Sequence, residues 1–353
     1  MPYYVYVSVS SHDRVNVFSM DPETGALDTH AIVAVGSSPT ALCVDPQQRF
    51  LYVALRSSRQ AAGFRIDKAS GRLAPLGTAR LEAEPIYIST DRTGRFLFTS
   101  YYRAGMAAVH PIRRDGSVGT PAVMSVKTAE RAHSIQTDPS NRFAFVPHTA
   151  GPNLIHQFRF DETTGRLSSN PAGKVTPPEG AGPRHFCFNE SMDVAYFVNE
   201  QGSTVSAYSF DPEEGTLTEF QTVTTLPSGF EGENTCADIR ITPTGEYVYA
   251  SNRGHDSIAW FPLDDEGMPS AGGHVLLLED VGEPAYRVDR MLLQLEQSGV
   301  IEGVAGLAFG RFTGAPDEDR HPVLAVIQEI AEERLAREVL ERNASGGRSK
   351  VRD

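Results

Sequence analysis

Residues 179–200 read EGAGPRHFCFNESMDVAYFVNE, a tight turn followed by two strand-like runs. The two glycines and Pro183 predict an irregular turn, because glycine tolerates positive φ and proline presets φ near about −65°. Arg184 and His185 come just before the first run, and Glu200 follows the second. Two strand ends therefore bring together a guanidinium, an imidazole and a carboxylate, which suit an anion-binding, acid–base site. A structural ion pair between Arg184 and Glu200 is the alternative.

The second run is one copy of a unit that recurs along the chain. A turn followed by alternating aromatic and β-branched residues appears as DPQQRFLYVA, DRTGRFLFTS, DPSNRFAFVP, NESMDVAYFV and TPTGEYVYAS, starting at residues 45, 91, 138, 189 and 242. This alternation is typical of half-buried strands. A second polar turn recurs out of phase, around six glycines spaced 45 to 52 residues apart: Gly25, Gly71, Gly116, Gly165, Gly215 and Gly267.

Each period has the length and strand content of one propeller blade, about four antiparallel strands. Blades stack around a central channel, because one blade cannot bury both of its faces. The sequence therefore predicts an all-β propeller with six recognisable blades over residues 1–267. Beyond Gly267, apolar runs alternate with helix-spaced segments, which predicts a small α/β segment over residues 268–343. Residues 344–353 are small, polar and basic, and a disordered tail is expected there.

The composition excludes several classes of function. The formal net charge of −13 argues against general nucleic-acid binding, so any anion site must be locally positive. The sequence contains no run of about 18 apolar residues and no signal-peptide pattern at its start, so neither a membrane span nor export is expected. Its three cysteines are far apart, which favours a reducing compartment, the cytoplasm. No cluster has metal-ligand spacing, so neither a metal nor a cofactor is expected.

Residues 1 to about 265 resemble the lactonase family of seven-bladed propellers. The resemblance rests on the repeat together with EGAGPRH, VNE and ADIRITPTGEYVYASNRGHDSI. The family includes bacterial 6-phosphogluconolactonases and the fungal carboxymuconate-lactonizing enzyme. It implies a site formed by His133, Arg184, Glu200 and Arg253 and a small anionic lactone as substrate. In the predicted strand pattern, His133 and Arg184 precede strands, whereas Glu200 and Arg253 follow strands.

These four residues are chemically suited to lactone hydrolysis. Two arginines can bind an anionic group and an ester oxygen that gains negative charge, and Glu200 or His133 can act as general base. Each residue also has a structural alternative: His133 as a hydrogen-bonded core histidine, and Arg253 as a tie within a turn. Three further histidines are expected to be structural: His148, His185 and His255.

The family pattern requires a seventh blade after Gly267, and its motifs are absent there. Instead, residues 272 to about 336 resemble the C-terminal domain of the LD-carboxypeptidase family, which uses a Ser–His–Glu triad. The resemblance implies that Glu279, or less favourably Glu283, is the triad glutamate. The serine-bearing domain is missing and His321 stands in the wrong context, so peptidase activity is not expected.

The two resemblances together imply six blades of a lactonase joined to a peptidase fragment, as in a gene fusion, a frameshift product or an assembly artefact. The leading hypothesis is hydrolysis of 6-phosphogluconolactone in the pentose phosphate pathway. A muconate cycloisomerase-like activity and a non-catalytic propeller scaffold are the alternatives, because one fold can host several functions. Loss of the seventh blade favours impaired activity, since misplacing catalytic groups by an ångström costs orders of magnitude in rate.

Overall fold

The computed structural model describes residues 3–23, 25–190, 193–270, 272–281 and 306–313. The chain divides into two units, residues 1–255 with 261–271, and residues 256–260 with 272–353. The first unit begins with a three-stranded antiparallel sheet, blade 1, and a short 3-10 turn. Its elements are β1 (Tyr3–Val9), η1 (Ser10–His12), β2 (Arg14–Met20) and β3 (Leu27–Ala34).

Four four-stranded antiparallel sheets follow, and their strands are hydrogen-bonded in chain order. Blade 2 contains β4 (Pro39–Val44), β5 (Phe50–Leu55), β6 (Gln60–Ile66) and β7 (Leu73–Arg80). Blade 3 contains β8 (Tyr87–Thr90), β9 (Phe96–Tyr101), β10 (Met106–Pro111) and β11 (Met124–Lys127). Blade 4 contains β12 (Gln136–Thr137), β13 (Phe143–His148), β14 (Leu154–Asp161) and β15 (Arg166–Val175). Blade 5 contains β16 (Pro183–Asn189), β17 (Val194–Asn199), β18 (Thr204–Asp211) and β19 (Thr216–Thr224).

A sixth sheet opens with β20 (Thr235–Ile241) and β21 (Tyr247–Arg253), which pair antiparallel. The predicted all-β propeller with six recognisable blades is therefore confirmed. The repeated aromatic runs form β5, β9, β13, β17 and β21, the second strand of each blade from the second onward. In blades 2 to 5 these second strands are buried along their whole length, because they have a sheet neighbour on either side and a packed blade on either face.

The hydrophobic core lies between neighbouring blades. Tyr52 of blade 2 packs in one cluster with Leu97 and Tyr101 of blade 3, and all three are fully buried. A second cluster joins blades 3 and 4, and a third joins blades 4 and 5 around Phe145 and Phe197. Each blade thus buries its apolar face only against its neighbour, as expected of stacked repeats.

The aspartate that opens the repeated turn caps the strand that follows. Oδ1 of Asp138 accepts hydrogen bonds from the backbone N–H groups of Arg142 and Phe143, at 2.9 and 2.7 Å. Asp45 and Asp91 make the same pair of bonds in blades 2 and 3. The three carboxylates are nearly fully buried. The repeated Asp is therefore explained by backbone N–H groups that would otherwise be buried without a partner.

The six repeated glycines all adopt positive φ. Four of them also lie against an aromatic ring of the preceding blade, at the point that a Cβ would occupy. The pairs are Gly71 with Tyr4, Gly116 with Phe50, Gly165 with Phe96 and Gly215 with Phe143. The glycine repeat therefore serves contact between blades as well as turn geometry.

The second unit contains the first four residues of β22 (Ser257–Pro262), together with β23 (Gly273–Val281) and β24 (Gly306–Thr313). β22 and β23 pair antiparallel, with Ser257 opposite Leu276. β23 and β24 pair parallel, which requires a crossover connection rather than a hairpin. The predicted strands of the α/β segment are therefore present. Its predicted helices, near residues 284–299 and 322–343, and the tail 344–353 lie outside the described residues.

Deletion of residues 272–353 is expected to lower the melting temperature of the protein. The deletion removes β23, the antiparallel partner of residues 257–260, and leaves an unpaired strand edge. The lost ladder between β22 and β23 contributes four or more hydrogen bonds of about 1 kcal/mol each, so the melting temperature is expected to fall by about 5 °C or more. Thermal unfolding of the full and shortened chains measures this difference. An unchanged melting temperature and unchanged solubility would show that the segment has no structural role.

Candidate active site

The first strands of blades 2 to 6 line a cavity of about 780 Å³ in the first unit. Its wall is formed by parts of β4, β8, β12, β16 and β20, the strands of a propeller that face the central channel. His133 and Arg184 both line it, the former from the segment before β12 and the latter from β16. Glu200 directly follows β17, and Arg253 is the last residue of β21.

Arg184 occupies a β-bulge rather than the segment before a strand. The register of β16 against β17 slips between Pro183 and His185, and Arg184 is the extra residue. The expectation that Arg184 precedes a strand is therefore wrong, because the strand already begins at Pro183 and Arg184 is its second residue. A bulge bends its strand and redirects its side chains, and this bulge directs the Arg184 guanidinium into the cavity.

Glu200 joins the two arginines. Its Oε1 accepts a hydrogen bond from Nη2 of Arg253 at 2.5 Å and lies 3.6 Å from Nε of Arg184. Backbone carbonyls complete the positioning, since Arg184 donates to Ala237 O and Arg253 donates to Cys236 O. The ion pair between Arg184 and Glu200 is therefore present, and Glu200 pairs with Arg253 as well. Two guanidiniums against one carboxylate leave a net positive charge, which attracts an anion.

His133 is 6% exposed, and its ring lies 5.0 Å from that of His185 and 5.6 Å from that of Tyr102. Burial, followed by the positive charge of Arg184, lowers the pKa of His133 to about 2. Nδ1 of His133 is buried, and no described residue is hydrogen-bonded to it. His133 is therefore a neutral imidazole at neutral pH that lines the cavity.

His185 and Asp238 form a hydrogen-bonded pair on the cavity wall. Nδ1 of His185 lies 2.8 Å from Oδ1 of Asp238, and Asp238 also accepts from Nη2 of Arg240 at 2.9 Å. Burial raises the pKa of Asp238, but the hydrogen bond from His185 and the charge of Arg240 outweigh it and lower the pKa to about 2. Burial lowers the pKa of His185, although Asp238 opposes this. The pair is therefore a carboxylate and a neutral imidazole at neutral pH.

Sequence reasoning did not identify Asp238 or Arg240 as part of the site. The pattern that could have indicated them is the alternation of Asp238 and Arg240 in ADIRI, because residues two apart lie on the same face of a strand. The register of β20 slips between Cys236 and Ile239, so that Asp238, like Arg184, lies in a bulge. A bulge cannot be read from alternation alone, because it interrupts that alternation.

The other two histidines have structural partners. His148 is fully buried in β13, and its Nδ1 lies 2.9 Å from the carbonyl oxygen of Glu130. The backbone N–H of His255 donates to Asn234, and its ring lies 4.9 Å from that of Phe230. Within the described residues, no group of three or more His, Cys, Asp or Glu side chains is arranged to hold a metal ion. No helix in the same part of the chain is long and apolar enough to span a membrane.

A second, smaller cavity of about 320 Å³ adjoins the first. Its lining includes Arg56, Arg59 and Arg103, and Arg56 is paired with Glu84. No ion pair is found for Arg59 or Arg103 among the residues that the structure describes. Ile86 lines both cavities, and Tyr102, which lines the smaller, contacts His133 of the larger. The two cavities are therefore neighbours that share one wall residue.

Comparison with known families gives two matches. Residues 4–279 match the family described as "Lactonase, 7-bladed beta-propeller". Residues 260–342 match the "LD-carboxypeptidase C-terminal domain". Of the predicted triad glutamates, Glu279 lies in β23, whereas Glu283 lies outside the described residues, as does His321.

Individual relatives agree with the first match. A 6-phosphogluconolactonase of Pectobacterium carotovorum is 34% identical over 267 residues, which cover 76% of this chain and 79% of the relative. A 6-phosphogluconolactonase of Serratia proteamaculans is 33% identical over the same shares. The structure of the periplasmic gluconolactonase PpgL of Pseudomonas aeruginosa is similar with a TM-score of 0.71 and 26% identity, covering 78% of this chain and 83% of that one. A protein from Lactobacillus plantarum, at 21% identity and a TM-score of 0.70, shares the fold, with 80% and 84% of the chains covered.

Proposed function

This chain belongs to the seven-bladed lactonase family, and we propose that it hydrolyses 6-phosphogluconolactone to 6-phosphogluconate. The single observation that carries the proposal is the cluster of Arg184, Glu200 and Arg253 beside the channel cavity. This cluster supplies positive charge where a lactone carbonyl oxygen gains negative charge during attack by water. The names of the relatives support this substrate over other lactones.

Each of the four residues has a proposed role. Arg184 is buried and lines the cavity, so it binds the carbonyl oxygen as that oxygen becomes an oxyanion. Arg253 is half exposed, shares Glu200 with Arg184, and adds positive charge beside the oxyanion. Glu200 holds both guanidiniums in place, and the neutral His133, which lines the cavity with Arg184, packs against the bound substrate. The peptidase resemblance contributes no catalytic group to this proposal.

A substrate panel tests the proposal against the other functions of the fold. Purified protein is assayed with freshly generated 6-phosphogluconolactone, with glucono-1,5-lactone and with cis,cis-muconate, and spontaneous hydrolysis is subtracted. The proposal predicts the highest kcat/KM for 6-phosphogluconolactone. Preferential turnover of muconate would support a cycloisomerase-like enzyme instead. Turnover of none of the three would support a binding scaffold.

The smaller cavity supports a phosphorylated substrate, because its unpaired arginines suit a phosphate dianion. Arg103→Gln is expected to raise KM for 6-phosphogluconolactone about tenfold, which corresponds to one charge-assisted hydrogen bond at an exposed site. KM for glucono-1,5-lactone, which has no phosphate, is expected to stay the same and serves as the internal control. Steady-state kinetics on both lactones measure this difference. A parallel change for both would show that Arg103 does not bind the phosphate.

The proposed location is the cytoplasm. Cys43, Cys187 and Cys236 are all free thiols, and burial raises the pKa of each of them. Unpaired cysteines are typical of proteins in reducing compartments. Separation of cell fractions followed by immunodetection tests this location, and recovery of the protein from an oxidising compartment would contradict it.

A further inference from the structure

The proposed hydrolysis needs a general base, and neither of the two candidates from the sequence is well placed for it. Oε1 of Glu200 already accepts a hydrogen bond from Arg253 and lies beside Arg184, so this oxygen is engaged in holding the two guanidiniums. His133 has only positively charged groups around it, namely Arg184, Arg253 and, when protonated, His185. No carboxylate is hydrogen-bonded to His133 in the described part of the chain, so its protonated form lacks the carboxylate partner that would stabilise an imidazolium.

We propose that His185 is the general base of the reaction and that Asp238 positions it. The proposal rests on the proposed lactonase function and adds two residues to its site. The 2.8 Å contact between Nδ1 of His185 and Oδ1 of Asp238 carries it. An ionised carboxylate can only accept, so Nδ1 must carry the proton and Nε2 the lone pair. A fixed tautomer is what a histidine base requires, and a carboxylate partner stabilises the imidazolium that forms.

The second ring nitrogen of His185 accepts a long hydrogen bond from the group that binds the carbonyl. Nη1 of Arg184 donates to Nε2 of His185 at 3.5 Å, and both residues line the larger cavity. When the substrate carbonyl takes over this donor, the lone pair on Nε2 becomes available to a water molecule. A lactone whose carbonyl oxygen is bound by Arg184 therefore has its carbonyl carbon next to Nε2, with room for one water molecule in a cavity of about 780 Å³. The His185 ring also packs edge-on against the rings of His133 and Tyr87, and each of these ring centroids lies 5.0 Å from that of His185.

Hydrolysis by this route needs no reactant other than water. Nε2 of His185 takes a proton from water while the water oxygen bonds to the carbonyl carbon, and the carbonyl oxygen becomes an oxyanion beside Arg184. The oxyanion collapses, the bond from the carbonyl carbon to the ring oxygen breaks, and the imidazolium returns its proton to that ring oxygen. The products are a free hydroxyl and a carboxylic acid, which releases its proton to solvent. The same histidine thus serves as base and then as acid.

The mechanism predicts the pH dependence of the reaction. Burial lowers the pKa of His185 below 6.5, so the neutral base predominates at neutral pH. Accordingly kcat/KM stays constant down to about pH 6.5 and falls as the pH passes below the lowered pKa, because protonation removes the lone pair. The titratable and charged groups that face this ring are Asp238 and Arg240 of β20, Arg184 of its own strand, His133 before β12 and Tyr87 of β8.

His185→Asn is the main test, because the asparagine amide can still donate to Asp238 but cannot act as a base. We expect kcat for 6-phosphogluconolactone to fall about 10²- to 10⁴-fold, with KM changed little, and the acid limb of the pH profile to disappear. His12→Asn, on the exposed turn η1, is the matched control and keeps wild-type kinetics. For His185→Ala, we expect partial recovery of kcat on addition of imidazole, which separates loss of the base from loss of folding.

Asp238→Asn tests the positioning role. We expect kcat to fall about 10- to 100-fold, and the acid limb to move to lower pH, because no carboxylate remains to stabilise the imidazolium. If the wild type is active, either of two results would overturn this inference alone. The first is a kcat for His185→Asn equal to that of the wild type. The second is an acid limb of the pH profile that disappears in Glu200→Gln but remains in His185→Asn. A wild-type protein without any lactone hydrolysis would overturn the proposed function and this inference with it.

Discussion

Arg184→Ala is expected to reduce kcat/KM for 6-phosphogluconolactone about 10²- to 10³-fold, the effect of removing one donor from an oxyanion site. Arg184 is the buried member of the pair of arginines, with a side chain that is 14% exposed, whereas Arg253 is 49% exposed. A cation in such a site acts with little screening by water, so its loss affects the transition state more than that of an exposed charge. Initial rates after subtraction of spontaneous hydrolysis measure the effect.

Two further variants make this result specific. Arg159→Ala removes an arginine from β14, where it is half exposed and lines neither cavity, and is expected to keep wild-type rates. Arg184→Lys keeps the charge but lacks the planar fork of donors, so an intermediate rate is expected. Equal rates for Arg184→Ala and wild type, both above the spontaneous reaction, would remove Arg184 from the mechanism.

Gly215→Ala is expected to lower the free energy of unfolding by about 2–4 kcal/mol, as the sum of backbone strain and overpacking. Gly215 has a φ of 68°, and an added Cβ would lie 2.0 Å from Cδ1 of Phe143 in the preceding blade. Phe143 cannot move away easily, because it is 3% exposed and its N–H is bonded to Asp138. Urea unfolding followed by fluorescence measures the loss.

Gly173→Ala is the matched control for this prediction. Gly173 has the same φ of 68°, but no heavy atom lies within 4 Å of its would-be Cβ. Gly173→Ala is therefore expected to lower the free energy of unfolding only by the cost of the backbone strain, about 1 kcal/mol. Equal losses in the two variants would show that the contact between blades contributes nothing, and that the glycine repeat serves turn geometry alone.

Much of the fold could be predicted from the sequence because its signals are local. The alternation in RFLYVA and its relatives indicates a strand, and Asp138 and Gly215 mark turns whose chemistry depends on a few neighbouring residues. The contact of Gly215 with Phe143 could not be predicted. It joins residues that are far apart in sequence, and only the packing of one blade on the next brings them together.

The candidate site was predictable only in part, for a related reason. Motifs identified Arg184 and Arg253, and the structure joins them through Glu200. His185 was expected to be structural, and the pairing with Asp238 that gives it a chemical role depends on bulges in β16 and β20. One extra residue in a strand changes which side chains face the channel, and alternation in the sequence does not reveal where that residue lies.

The most direct test of the account is the rate of 6-phosphogluconolactone hydrolysis by the full-length protein, compared with Arg184→Ala at the same concentration. The substrate hydrolyses spontaneously, so the difference between the two proteins is the informative quantity. The account predicts a wild-type rate well above background and an Arg184→Ala rate close to background. Equal rates at background level would contradict it, and would mean that this propeller retains the architecture of a lactonase without its activity.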